Sequence, residues 1–196
     1  EVKLHLLRKE ALSRMVHNPR REVELPVLGK VKSDGTPTKA LLDAVNEQQG
    51  KLKYVADAFG GIFDVYTSPK VLHGAVAGNR SMKGLTSDCD DFSYYTSALL
   101  QKAGVPYEYA TSFSMIAHES SMLSDLAKNH VITLVKYIDK KKDWTAVLDT
   151  NTAATGKIMW FKGNFVQAEK EIMERFGEMY EANYGYLVPN RFIFSV

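Results

Sequence analysis

The segment from Asp88 to Ala103 constrains the fold of this chain more than any other. Its apolar residues Phe92, Tyr95, Ala98, Leu99, Leu100 and Ala103 spread over more than one helical stripe, so the helix they predict is central and largely buried. Gly104 supplies a C-terminal stop, and Pro106 prevents continuation.

The rest of the 196-residue chain divides into elements that can surround such a helix. Residues 3–16 carry Leu4, Leu7, Ala11, Leu12 and Met15 at helical spacing, ended by Asn18-Pro19-Arg20-Arg21. Val23 to Val27 reads as extended, and Ser33-Asp34-Gly35 as a turn. Thr36-Pro37 reads as an N-cap and first position for a helix with the inner stripe Leu41, Leu42, Val45 and a stop at Gly50. Tyr54 to Thr67 is irregular, and Gly74 to Gly84 reads as a mobile loop. A strand is predicted over Tyr107–Phe113, followed by a polar, lid-like excursion over 114–129 with a short helix at Met122–Lys128. His130 to Ile138 alternates, with Val131, Thr133, Val135 and Tyr137 on one face and His130, Ile132 and Leu134 on the other. A charged turn over 139–143 and a return strand to Asp149 follow. Asn164-x-x-Gln167 reads as a capping box for a helix bearing Ile172, Phe176, Met179 and Tyr180, and Arg191–Val196 as a final strand. Helices first, then sequential antiparallel strands, predict one α+β domain. Its expected parts are a helical extension (1–40), a core (41–151) and a C-terminal helix and strand (152–196).

The chemistry concentrates at the start of the central helix. Cys89 is the sole cysteine, which excludes an internal disulfide and a multi-thiolate zinc site. In the first turn of a helix a thiolate gains from unpaired N–H groups and the macrodipole, and the same groups suit an oxyanion. Asp88, Asp90 and Asp91 oppose this by repulsion and would raise the thiol pKa, so a nearby imidazolium is needed to offset them. His130 opens a strand and Asp149 closes the next one. Direct opposition of the two in a hairpin would centre the turn between Asp139 and Lys140, slightly before the middle of 139–143, whereas placement within a few residues requires no bulge. On a shared face the carboxylate is expected to hold Nδ1–H and leave Nε2 to the thiol.

The run Ser87-Asp88-Cys89-Asp90-Asp91-Phe92-Ser93, followed by Ala98-Leu99-Leu100-Gln101-Lys102-Ala103-Gly104-Val105-Pro106, resembles the signature of the transglutaminase-like cysteine peptidase superfamily and its bacterial members. Upstream, Val45-Asn46, Tyr54-x-x-Asp57 and Asp64-x-Tyr66-x-Ser68-Pro69 are similar to the leading half of bacterial members, so the resemblance spans about residues 41–151. It implies a papain/transglutaminase-like fold, with the cysteine helix packed on an antiparallel sheet. It also implies a Cys89–His130–Asp149 triad that cleaves an amide bond through an acyl-enzyme. Ser87 stands where the family usually has Gly, His130 precedes Val131-Ile132-Thr133-Leu134 rather than an aromatic-acidic strand, and no Pro follows Asp149.

Two other outcomes stay open for this scaffold: acyl transfer to an amine, as in a transglutaminase, and a catalytically inactive binding or assembly module. No cofactor is required. Calcium at Asp88, Asp90 and Asp91 is compatible with the resemblance, although helix-start capping accounts for Asp88 and Asp90 more simply. His5, His17, His73 and His118 have no partner spacing, and Lys140-Lys141-Lys142 reads as a solvated turn. A formal charge of +2 argues against a nucleic-acid partner and leaves a protein or peptide substrate as the expected one. No segment approaches the ~18 apolar residues that span a bilayer, so a soluble protein is expected, with the cytoplasm favoured. The missing initiator Met is compatible with a removed targeting segment.

Overall fold

In the computed structural model, residues 24–55, 67–78, 87–117, 130–184 and 189–194 are described, with the backbone alone for 113–117, 180–184 and 189–194. The expected helix at 3–16, the loop beyond Gly78 and the short helix at Met122–Lys128 lie outside these residues, as does most of the irregular stretch 54–67. Residues 24–27 form no regular element.

Helix α1 (Lys39–Gln49) begins two residues later than Thr36-Pro37 suggests. Thr36 is used elsewhere: its N–H and hydroxyl both donate to Asp34 Oδ1 in the preceding turn, and Pro37 bridges to Val31. Thr38 therefore caps the helix, accepting the Leu41 N–H, and Gly50 closes it as expected. Helix α2 (Pro69–Val76) is capped by Ser68 with proline at its first position. Gly74 is buried inside it rather than opening a loop. The central helix α3 (Cys89–Lys102) is buried without interruption from Asp90 to Leu100.

Residues 107–109 form a 3-10 turn, so strand β1 (Ala110–Ala117) starts later than predicted and continues into the stretch read as the excursion. Strands β2 (His130–Asp139) and β3 (Lys142–Leu148) form a hairpin closed by Lys140-Lys141. Both turn residues have positive φ (47° and 62°), the type I′ geometry that matches strand twist. Helix α4 (Thr150–Thr155) and strand β4 (Met159–Lys162) were not anticipated, being too short to show a period. Helix α5 (Phe165–Tyr184) has the predicted capping box: Asn164 N–H donates to Gln167 Oε1 and Gln167 N–H to Asn164 Oδ1. Strand β5 (Pro189–Phe194) completes an antiparallel sheet in the order β4-β3-β2-β1-β5.

The sheet is covered on both faces. Val135, Ala146 and Leu148 pack with Tyr95, Leu99 and Leu100 of α3 and with Leu41, Leu42 and Val45 of α1. Ile132, Leu134, Val147 and Phe161 pack with Ala168, Ile172, Met173 and Phe176 of α5. This is the expected α+β arrangement, the cysteine-bearing helix lying on an antiparallel sheet. Among the described residues no helix is long and apolar enough to cross a membrane.

The hairpin turn carries two lysines in a conformation that disfavours side chains. Lys141→Gly is expected to stabilise the protein by about 0.5–1 kcal/mol, read as a higher urea midpoint at unchanged m value.

Candidate active site

Asp149 leaves β3 and caps α4, so its backbone is fixed before its side chain is considered. Its Oδ1 accepts the Thr152 N–H at 2.9 Å, and its own N–H donates to Thr152 Oγ1 at 2.9 Å. Oδ2 is thereby turned toward His130, whose Nε2 lies 2.9 Å away, and it also accepts from Asn151 Nδ2 at 2.8 Å. The residue is only 1% exposed. Burial pushes its carboxyl pKa up, but the hydrogen bond and charge of His130, the Thr152 N–H and the Asn151 amide outweigh that and hold it below the usual 3.8.

The register explains how the two residues meet. Thr133 pairs with Leu148, which puts Asp149 level with Ile132 and two residues along the same face from His130. They form a diagonal pair rather than the direct opposition considered from sequence, because the hairpin closes at Lys140-Lys141. The ring orientation also differs from expectation: Nε2, not Nδ1, faces the carboxylate. Since a carboxylate only accepts, Nε2 carries a hydrogen in either protonation state, and in the neutral form of the ring the lone pair is on Nδ1. The imidazole packs against Phe176 of α5 with ring centroids 5.7 Å apart.

Cys89 is the first residue of α3 and is half-buried. The backbone leading to it is held by Ser87, whose N–H and carbonyl bond Val55 at 3.0 and 3.1 Å and whose hydroxyl donates to the Lys53 carbonyl. Asp88 occupies the N-cap position yet makes no side-chain capping bond, contrary to the capping role read from sequence. Asp90 Oδ1 instead accepts the Asp91 N–H, and Asp91 Oδ1 accepts the Thr67 N–H, each at 2.7 Å. The three carboxylates each offer an oxygen within 4.8 Å of the others. Among the described residues, Asp88 Oδ1 is buried without a hydrogen-bond partner. Tyr54, 55% exposed, lies beside Phe92, one turn into α3.

Two contacts connect the cysteine helix to the His130–Asp149 pair. Thr133 Oγ1 donates to the Ser93 carbonyl at 3.1 Å; Cys89 lies one turn upstream of Ser93 and His130 three residues upstream of Thr133. Gln49, at the end of α1, binds both the Thr96 hydroxyl of α3 and the Asp149 carbonyl. Gln49, Asn151 and Thr152 had no motif to mark them. The available signal for Gln49 was its place on the apolar stripe Leu41, Leu42, Val45, where an amide is out of character. Of the histidines set aside, His73 pairs with Tyr95 OH at 2.8 Å, while His5, His17 and His118 lie outside the described residues.

No protein-family model matches this chain, and no curated protein sequence matches it. Among solved structures, Legionella pneumophila LapG is 20% identical over 81% of this chain and 73% of that one, with a TM-score of 0.40. Its calcium-bound form is 20% identical over 80% and 72%, with a TM-score of 0.41. Likeness at this level assigns no activity to the chain.

Because the native pKa of Asp149 is lowered, its ionised form stabilises the fold at neutral pH, and this contribution disappears as pH falls below about 4 through the native value. Asp149→Asn should cost about 3 kcal/mol at pH 7, since it breaks a buried pair. Urea titrations from pH 7 to 2.5 should show a shallower acid loss in the variant than in the wild type.

Proposed function

We propose that this chain is a transglutaminase-like thiol hydrolase that cleaves an amide bond of a protein or peptide through an acyl-enzyme. Cys89 is the nucleophile, His130 the acid and base, and Asp149 the group that orients the ring. The observation that carries this reading is the buried hydrogen bond from His130 Nε2 to Asp149 Oδ2, because it leaves Nδ1 as the basic nitrogen. Lone structural histidines do not need an ionised, fully desolvated carboxylate to fix their tautomer.

In the reaction Nδ1 takes the Cys89 proton and the thiolate attacks the amide carbonyl, forming the C–S bond. N–H dipoles at the start of α3 suit the oxyanion that develops. Collapse breaks the C–N bond, and the imidazolium gives its proton to the departing amine. Water, deprotonated by Nδ1, then attacks the thioester; the C–S bond breaks and the acid and thiolate are released. His130 lies on the sheet face covered by α5 and Thr133 on the face covered by α3. Sulfur and ring would therefore meet round the end of the sheet where β2 begins.

The acidic trio supports a calcium site beside the nucleophile. Hard carboxylate oxygens are the donors calcium prefers, and among the described residues the buried Asp88 Oδ1 has no hydrogen-bond partner. When bound, the ion would supply positive charge that offsets Asp88, Asp90 and Asp91 next to the thiolate.

Iodoacetamide should label Cys89 at pH 7 at least about tenfold faster in the wild type than in His130→Ala. Equal rates would overturn the activated thiolate. Calcium should raise the thermal midpoint of the wild type, with the rise reversed by EGTA and absent in Asp88→Asn. No calcium-dependent shift in the wild type would reject the ion site.

A further inference from the structure

We propose that Gln49 is a positioning residue that sets the His130–Asp149 pair at its working distance from the cysteine helix; this rests on the roles given above to Cys89, His130 and Asp149. Gln49 is completely buried and sits where a leucine would serve packing alone. A buried amide is costly unless its donors and acceptor are used. Here both ends are used, and they reach different elements. Oε1 accepts the Thr96 hydroxyl of α3. Nε2 donates to the Asp149 carbonyl at 2.8 Å, with longer contacts at 3.2 Å to Thr152 Oγ1 and Asn46 Oδ1.

The partners identify what is being positioned. Thr96 lies two helical turns from Cys89 on a rigid helix, and Asp149 is the residue whose carboxylate holds His130. Asn46 reinforces the same junction, its Nδ2 donating to the Thr152 carbonyl at 3.0 Å. Thr152 in turn completes the capping box that aims the Asp149 carboxylate. One side chain thus ties the backbone of the orienting acid to the helix of the nucleophile. Catalysis is sensitive to misplacement of about 1 Å, so a fixed link between these two bodies has a chemical use that generic packing lacks.

The test reads the pH dependence of Cys89 alkylation by iodoacetamide in Gln49→Met, which keeps length and bulk but loses both hydrogen-bonding ends. The wild type should react well below the ordinary thiol pKa of about 8.5. Gln49→Met should react about tenfold more slowly at pH 6.5 and at the wild-type rate at pH 10, where every thiol is ionised. Thr96→Val, which removes only the far end of the link, should lower the pH 6.5 rate in the same way. The double variant should be no slower than Gln49→Met alone. A purely structural role would lower the thermal midpoint and leave the ratio of the two rates unchanged, which would overturn the inference. If Gln49→Met does not fold, Thr96→Val decides by the same ratio. A wild-type rate that merely follows ordinary thiol ionisation would instead reject the triad itself. An activated wild-type thiol with unchanged variants would reject only the role of Gln49.

Discussion

Asp149 is a carboxylate that stays ionised with almost no contact with water, and much of the local architecture follows from satisfying it. Desolvation alone would favour the neutral acid. Three donors prevent that: the Thr152 N–H, the Asn151 amide and His130 Nε2. The first two exist because the chain turns from β3 directly into α4, a helix of six residues whose start places the Thr152 N–H and the Asn151 side-chain amide beside the carboxylate. The third exists because β2 and β3 are neighbours in a register that sets residues 130 and 149 on one face. A short helix with little stability of its own is therefore held by a charge, and the charge by the helix.

The larger frame is a sheet enclosed between two helical layers. α3 and α1 cover one face and α5 the other, so the middle of β2 is buried on both sides from Ile132 to Val135. Within this setting the buried polar side chains, many of them on α3, are directional. Thr133 reaches Ser93, Gln49 reaches Thr96 and Asp149, and Ser97 faces Ser112 at 3.2 Å. Each joins elements that hydrophobic contact brings together without fixing their relative slide.

Much of this was legible in the residues. The central helix announced itself by apolar positions over more than one stripe and by Gly104 and Pro106, and the β2–β3 hairpin by alternation on either side of a lysine turn. His130 and Asp149 are paired from sequence by their order, by the hairpin spacing and by the family resemblance, and the structure brings them into a hydrogen bond. What escaped were features decided by competition among polar groups. Thr36 resembles a cap but is taken by Asp34, leaving the task to Thr38. Asp88 sits at the cap position without acting as one. The imidazole presents Nε2 rather than Nδ1, a choice that depends on where the ring must stand and not on residue type. Short elements such as α4 and β4 carry too few residues to declare a period, although Asn151 and Thr152 of α4 bind the Asp149 carboxylate.

A strand that is apolar on both faces has a particular weakness. In most antiparallel sheets a slip of one residue would drive charged groups into the core, and that penalty guards the alignment. Here Ile132, Thr133, Leu134 and Val135 are all buried, so hydrophobicity barely distinguishes the native alignment of β2 from its neighbours. The hydrogen bonds of His130 to Asp149 and of Thr133 to Ser93 do distinguish it, because neither survives a shift. His130 and Asp149, proposed above for chemistry, thus serve also as registration marks, and selection on the one property would preserve the other.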